Sequence, residues 1–221
     1  IIVARIRKCR VLVYTPDQYH PKTRSDVRFG TVYTAVRSGR YPWIEIFHTI
    51  PGRRMLKNLI DRRRISLYRE AFIPRHVPPA FDPSIIDLSS ISDIEQPMVR
   101  SEMVKFSVWG VQIQRLIPRA ARMFAKTSIS LFISMDDVRY AQELVIAARE
   151  AGIRTVGIQH GHFTKYLVGW MNYEIPSNRG IAFDTLYVWN DYWKQVLVEY
   201  SSIYTEENTI VGGLLRPPAP M

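Results

Sequence analysis

The sequence predicts an α/β protein: a Rossmann-like, doubly wound, mostly parallel sheet with helices on both faces. Three observations carry this. Short β-rich runs alternate with helix-period runs along the chain. The clearest of them, Ile129–Ser134, Arg154–Gln159, Asp184–Trp189 and Asn208–Gly213, are separated by stretches long enough for right-handed crossovers. The composition, 47% hydrophobic and 23% charged over 221 residues, suits a soluble globular chain that buries a sizeable core.

Taken in order, CRVLVY (Cys9 to Tyr14) is a short apolar strand, followed by the polar loop TPDQYHPKTRSD. A helical pattern then runs through Val27, Val32, Tyr33 and Val36 and stops at Gly39, with Ser25 or Asp26 as its candidate cap. WIEIFH (Trp43 to His48) is a second strand, and Pro51 is placed to open a helix over PGRRMLKNLIDRRR. Ile65 to Phe72 reads equally as a third strand or as a continuation of that helix. Residues 74 to 97 are rich in Pro, Ser and Asp and read as a long excursion. Ser101 offers an N-cap to a long amphipathic helix, kinked near Pro118. Asp136 and Asp137 begin the helix after Ser134, and Gly152 ends it. Asn190 caps the last helix, DYWKQVLVEY. Residues 1–210 are expected to form one domain with an excursion at 74–100, and residues 211–221 to begin a linker.

Charge and cysteine narrow the function classes. Residues 1–75 hold 17 Lys/Arg against 5 Asp/Glu, whereas residues 76–221 hold 13 against 15, so the whole excess of +10 lies in the first third. Such a basic region suits phosphate groups on lipid, nucleic acid or a small substrate; the plainer reading is a solubilising face. Cys9 is the only cysteine, which excludes an intramolecular disulfide and a multi-cysteine zinc site. No apolar run is long enough to read as a spanning helix, and the opening IIVARIRKCRVLVY has no signal-peptide cleavage pattern. It reads as the approach to the first strand.

In an open parallel sheet, ligands bind beyond the carboxyl ends of the strands. Four loops follow such ends: TPDQYHPKTRSD, HTIPG, SMDD and QHGHFTKY. Three of them are unusually polar for their length, and together these hold three of the five histidines, His20, His160 and His162. The stretch VGIQHGHFTKY (Val156 to Tyr166) admits three readings. As a metal clip, His160 and His162 share a strand face and Asp136 adds a carboxylate. No HExxH or further His cluster supports this, and no metal is assigned. As a plain turn, His160 is hydrogen-bonded inside the loop and His162 is solvated. As a catalytic or phosphate-binding loop, a neutral imidazole takes a proton from a hydroxyl, or a cationic one stabilises developing charge. Lys165 then adds a fixed positive charge, and Gly161 lets the backbone approach a ligand closely. Arg24, ahead of a helix, can hold a phosphate or carboxylate, with Ser25 beside it as ligand or cap. Asp136 and Asp137 either position a hydroxyl or simply suit a helix start. Trp170 and Tyr173 are candidates to stack on a sugar; the other Trp and Tyr residues read as core.

A strand ending in TVGIQHG after a helix AARE-AGI resembles the end of the N-terminal domain of GT-B fold glycosyltransferases of bacterial surface polysaccharides. HGHFTK is also similar to the His-Gly-Thr-Pro-Leu-Lys motif of the CDP-glycerol glycerophosphotransferases of teichoic acid synthesis. His160, Gly161 and Lys165 match it in register, while Gln159, His162, Phe163 and Thr164 differ. FDTLYVWNDYWKQVL and ENTIVGG resemble the following strand, helix and interdomain strand, so the likeness covers roughly residues 129 to 215. The resemblance implies an acceptor-side domain, with His160 as base toward an acceptor hydroxyl or as a phosphate contact. It implies a glycan or lipid-linked acceptor and no cofactor in this chain. The nucleotide-activated sugar or polyol-phosphate donor would bind a second domain beyond Met221, so this half alone is expected to lack turnover.

Two other classes compete. RRMLKNLIDRRR sets Met55, Leu56, Leu59 and Ile60 among Arg53, Arg54, Lys57, Arg62, Arg63 and Arg64, the pattern of a membrane-surface helix or of an ordinary helix packed on the sheet. A non-catalytic module docking on anionic lipid or nucleic acid is therefore the alternative. Nucleic acid is disfavoured because no RNP signature, Cys/His finger or convincing GxxG loop occurs. A GT-B fold sugar-nucleotide epimerase is disfavoured because its second domain and carboxylate-rich site are not seen. The expected location is cytoplasmic, at the inner face of the membrane.

Overall fold

The computed structural model describes residues 8–15, 19–20, 25–26, 29–47, 64–66, 78–79, 82–135, 141–159, 161–164, 171 and 182–213. The chain divides into two compact units, Ile1–Leu67 with Ala120–Met221, and Tyr68–Arg119.

The first unit begins with β1 (Val11–Thr15), buried along its whole length, as a central parallel strand must be when both faces are covered. A two-residue antiparallel pair follows, β2 (Tyr19–His20) with β3 (Ser25–Asp26). Next come α1 (Gly30–Ser38), β4 (Trp43–Phe47) and β5 (Arg64–Ser66). The helix α2 (Gln96–Phe124) starts in the other unit and ends in this one. It leads to β6 (Leu131–Ser134), α3 (Ala141–Glu150), β7 (Arg154–Ile158), β8 (Thr185–Val188), α4 (Asp191–Tyr200) and β9 (Thr209–Val211).

Seven strands form one sheet in the order β5-β4-β1-β6-β7-β8-β9, and every pairing in it is parallel. The order reverses direction at β1, which makes the β1–β6 crevice the topological switch point of a doubly wound Rossmann-like sheet. Val11, Val13, Ile133 and Ile158 bury one face beneath Phe29, Val32, Tyr33 and Val36 of the α1 region. Leu186 and Val188 project to the opposite face and pack with Leu197 of α4. Helices therefore cover both faces, as the alternating pattern predicts. Burial of each such Val, Leu or Phe contributes roughly 1.5–3 kcal/mol.

Local chemistry sets the ends of the elements. After α3, Gly152 takes φ +71 and donates its N–H to the Arg149 carbonyl, while Ile153 N–H reaches Ala148, closing the helix as expected. The Asn190 side chain accepts the N–H of Trp193, also as expected. Asp184 locks the start of β8 to β7: its Oδ2 accepts Thr155 N–H at 2.7 Å and Thr155 Oγ1 at 2.9 Å. Gly157 in β7 is small for a packing reason. A Cβ there would lie 2.3 Å from the Phe183 ring, so Gly157→Ala is expected to cost about 2 kcal/mol in denaturant unfolding. An unchanged midpoint would mean that the ring steps aside freely.

Three expectations are corrected. Ser101 is not an N-cap, because α2 already begins at Gln96. Pro97 sits in its first turn, where a missing N–H costs nothing, so the Pro that seemed to end the excursion opens the helix. Ser25 and Asp26 do not cap α1: they pair with His20 and Tyr19 as a strand, and α1 starts at Gly30 behind an uncapped Phe29. Val27, where the helical pattern is expected to begin, lies outside the described residues. Of the ambiguous run Ile65 to Phe72, Ile65 and Ser66 belong to β5, and the rest lies outside the described residues, as do residues 51–63.

Among its described residues, the second unit holds a 3-10 turn at Pro83–Ile85 and the greater part of α2, with Pro118 inside the helix. Asp82 and Asp87 each accept the backbone N–H two residues on, from Ser84 and Ser89 at 2.9 Å, which holds both carboxyls below their ordinary range. Along α2, Met98, Phe106 and Trp109 are exposed. No helix among the described residues is long and apolar enough to cross a membrane.

Candidate functional site

The candidate site lies along the carboxyl edge of the sheet. At the end of β7, Gln159 is 1% exposed and makes four hydrogen bonds. Its backbone N–H donates to the Tyr187 carbonyl at 2.9 Å, and its own carbonyl accepts the Trp189 indole N–H at 2.9 Å. Its side-chain Oε1 accepts Trp189 N–H at 2.9 Å, and its Nε2 donates to the Gly161 carbonyl at 2.9 Å. One buried amide thus ties the loop after β7 to the end of β8, using both the donor and the acceptor it carries.

The loop runs along an aromatic cluster. The exposed His162 ring meets Trp189 edge-on at 5.4 Å and Trp193 at 5.5 Å. Phe163 is buried against Trp193 at 4.6 Å, and Tyr192, 62% exposed, stands edge-on to Trp193 at 4.9 Å. Such edge and tilted geometries are the favoured ones for ring quadrupoles. At Gly161 a Cβ would meet open space, so neither packing nor backbone conformation asks for glycine there. What glycine leaves is bare backbone beside the cluster.

Two buried carboxylates lie elsewhere in the unit. Glu45 of β4 is 1% exposed, and its Oε1 accepts Thr15 Oγ1 at 2.8 Å and Tyr33 Oη at 2.7 Å. Thr15 is the last residue of β1, so this carboxylate sits just below the carboxyl edge. Glu143, in the first turn of α3, has a buried Oε1 with no hydrogen-bond partner among the described residues. At the switch point itself, Ser134 Oγ lies 3.1 Å from the Tyr14 carbonyl and binds β6 to β1.

Of the residues singled out from sequence, Gly161 and His162 stand in this loop. Ser25 and Arg64 belong to β3 and β5. His160, Lys165, Arg24, Asp136, Asp137, Arg53, Arg54, Lys57, Arg62, Arg63, Trp170 and Tyr173 lie outside the described residues. Among the described residues, no group of three His, Cys, Asp or Glu side chains can hold a metal ion.

Sequence reading missed Gln159, Glu45, Glu143 and the aromatic cluster. Gln159 stands in a motif where it reads as a departure from a pattern, and Glu45 is a single charge inside an apolar run. The cluster had a signal. In WNDYW, Trp189 stands just before the Asn190 cap and Tyr192 and Trp193 lie in the first turn of α4, so three aromatic residues gather at one helix start. Comparison with protein-family models and with curated proteins yields no match to this chain.

Proposed function

We propose that this chain is the acceptor-side half of a GT-B type transferase that moves a nucleotide-activated sugar or a polyol phosphate onto a cell-surface glycan acceptor. The observation that carries the reading is the loop after β7. It is pinned by Gln159 at the ligand-binding edge of a Rossmann-like sheet, beside exposed aromatic rings suited to stack on a sugar.

His160 is the residue between Gln159 and Gly161 in the sequence, and the hydrogen bond between those two neighbours supports giving it the role of base. In its neutral form the imidazole accepts the proton of the attacking acceptor hydroxyl as the new bond to the donor forms. Lys165 and Arg24 supply positive charge for the phosphate that leaves with the donor nucleotide. Gly161 and His162 line the acceptor, and Asp136 and Asp137 position its hydroxyls. The donor belongs to a further domain. A lipid-linked acceptor would put the work at the cytoplasmic face of the membrane. The basic stretch Arg53 to Arg64, with apolar residues set among its cations, supports such docking.

The test uses the complete gene product. Transfer is measured from CDP-glycerol and from UDP-hexoses to lipid-linked glycan acceptors extracted from membranes. His160→Ala is expected to lower kcat by a factor on the order of 100 or more with little change in thermal stability. Transfer unaffected by His160→Ala would remove this residue from the mechanism, and no transfer from any donor by the wild-type protein would remove the transferase reading.

A further inference from the structure

At the opposite, amino edge of the same sheet lies a cavity of about 500 Å³, entered between the start of β1 and the end of α1. Lys8, Arg37 and Arg40 line it together with Cys9, Tyr41 and Trp43, and no carboxylate is among its lining residues. None of the three cations forms an ion pair among the described residues. Arg37 lies over the Trp43 ring at 6.0 Å, and Tyr33 stands 5.4 Å from the same ring. Tyr41 is 58% exposed.

The backbone at this place is unusual. The helix α1 ends in a Schellman pattern, with Arg40 N–H on the Arg37 carbonyl and Tyr41 N–H on the Val36 carbonyl. The left-handed position of that pattern normally belongs to glycine. Here Gly39 is one residue too early, with φ −72, and Arg40 takes φ +52. A Cβ at Gly39 would lie 2.4 Å from the exposed Tyr41 ring, so glycine there lets the ring lie over the end of α1. Arginine has no such local reason to occupy the left-handed site, where an L side chain crowds its own carbonyl. A costly conformation that brings a guanidinium to a cavity points to use of that guanidinium. The partial negative charge at the end of α1 explains a single basic residue such as Arg37. It is only about half a charge, and three full cations exceed it.

We infer that this cavity binds a soluble phosphate ester, a nucleoside diphosphate being the class whose charge and ring match it. Three cations balance a diphosphate, Tyr41 offers a ring for the base, and a volume near 500 Å³ lies within the range of small-ligand sites. Burial pushes the Cys9 thiol above its ordinary range, which disfavours the thiolate. The site is separate from the carboxyl-edge loop, and its success or failure leaves the transferase proposal where it stands.

Calorimetric titration of the whole chain with UDP, CDP and ADP, each at low and at physiological salt, tests the inference. Saturable binding that weakens with salt is expected. Arg40→Gly is the informative variant, because glycine suits φ +52 and should hold or raise the melting temperature while weakening nucleotide binding tenfold or more. Arg37→Gln should weaken it comparably. Nucleotide affinity unchanged in Arg40→Gly and Arg37→Gln would overturn the inference. So would the absence of nucleotide binding, whether or not phosphatidylglycerol vesicles bind through these same residues.

Discussion

Gln159→Leu is expected to destabilise the protein by about 3 kcal/mol in denaturant unfolding, although leucine nearly matches glutamine in size. The loss comes from the partners left behind. Trp189 N–H and the Gly161 carbonyl each lose a part-buried hydrogen bond of 2.9 Å. Losing the partner of a buried polar group costs about 1–3 kcal/mol, so two part-buried losses together reach this size. Gln159→Glu separates the two halves of the contact. Its carboxylate still accepts from Trp189 but cannot donate to Gly161, and it buries a charge beside a carbonyl. It should therefore do no better than leucine. If both variants unfold within about 0.5 kcal/mol of the wild type, the amide is not what holds the loop, and the geometric support for the proposed site disappears.

Glu45→Ala should cost about 4 kcal/mol, the largest loss expected from a single substitution in this protein. The carboxylate is 1% exposed and is fixed by two hydroxyls, Thr15 at 2.8 Å and Tyr33 at 2.7 Å. Alanine leaves both hydroxyls without this acceptor and opens a cavity between β1, β4 and α1. Glu45→Gln keeps an acceptor oxygen and nearly the same volume, so it should cost only about 1 kcal/mol. The contrast between the two variants is the measurement. Equal losses would mean that the charge, rather than the shape and the acceptor oxygen, stabilises this corner. A loss below about 1 kcal/mol for alanine would mean that the pair of hydroxyl contacts is incidental.

Much of the fold was legible from the chain. The strands from Val11, Trp43, Leu131, Arg154, Thr185 and Thr209 begin within two residues of where the sequence pattern puts them, because short β-rich runs bounded by polar turns leave few alternatives. Gly152 and Asn190 marked helix ends through chemistry that acts within four residues. Where the reading failed, a competing local signal had been preferred. Ser101 looks like a cap, yet Pro97 with Gln96 opens α2 earlier. Ser25 and Asp26 look like caps, yet they pair with His20 and Tyr19 as an antiparallel ladder.

The candidate site was legible only in part. The loop carrying Gly161 and His162 was found from its position after a strand, because parallel sheets put ligands there whatever the sequence. What surrounds the loop was not readable. Gln159 meets Trp189 from 30 positions away, Glu45 meets Thr15 from 30, and His162 meets Trp189 from the next strand.

Sequence patterning was enough to set the period of each element, the parallel α/β class and the edge at which ligands belong. These follow from interactions between near neighbours and from the handedness of the chain. Tertiary structure alone decided the direction reversal at β1, the buried amide under the loop, the gathering of Trp189, Tyr192 and Trp193 against His162, and the arginine held at φ +52. Each depends on which distant residues meet once the sheet has closed. A polar side chain says nothing of its partners until burial has removed water as the alternative.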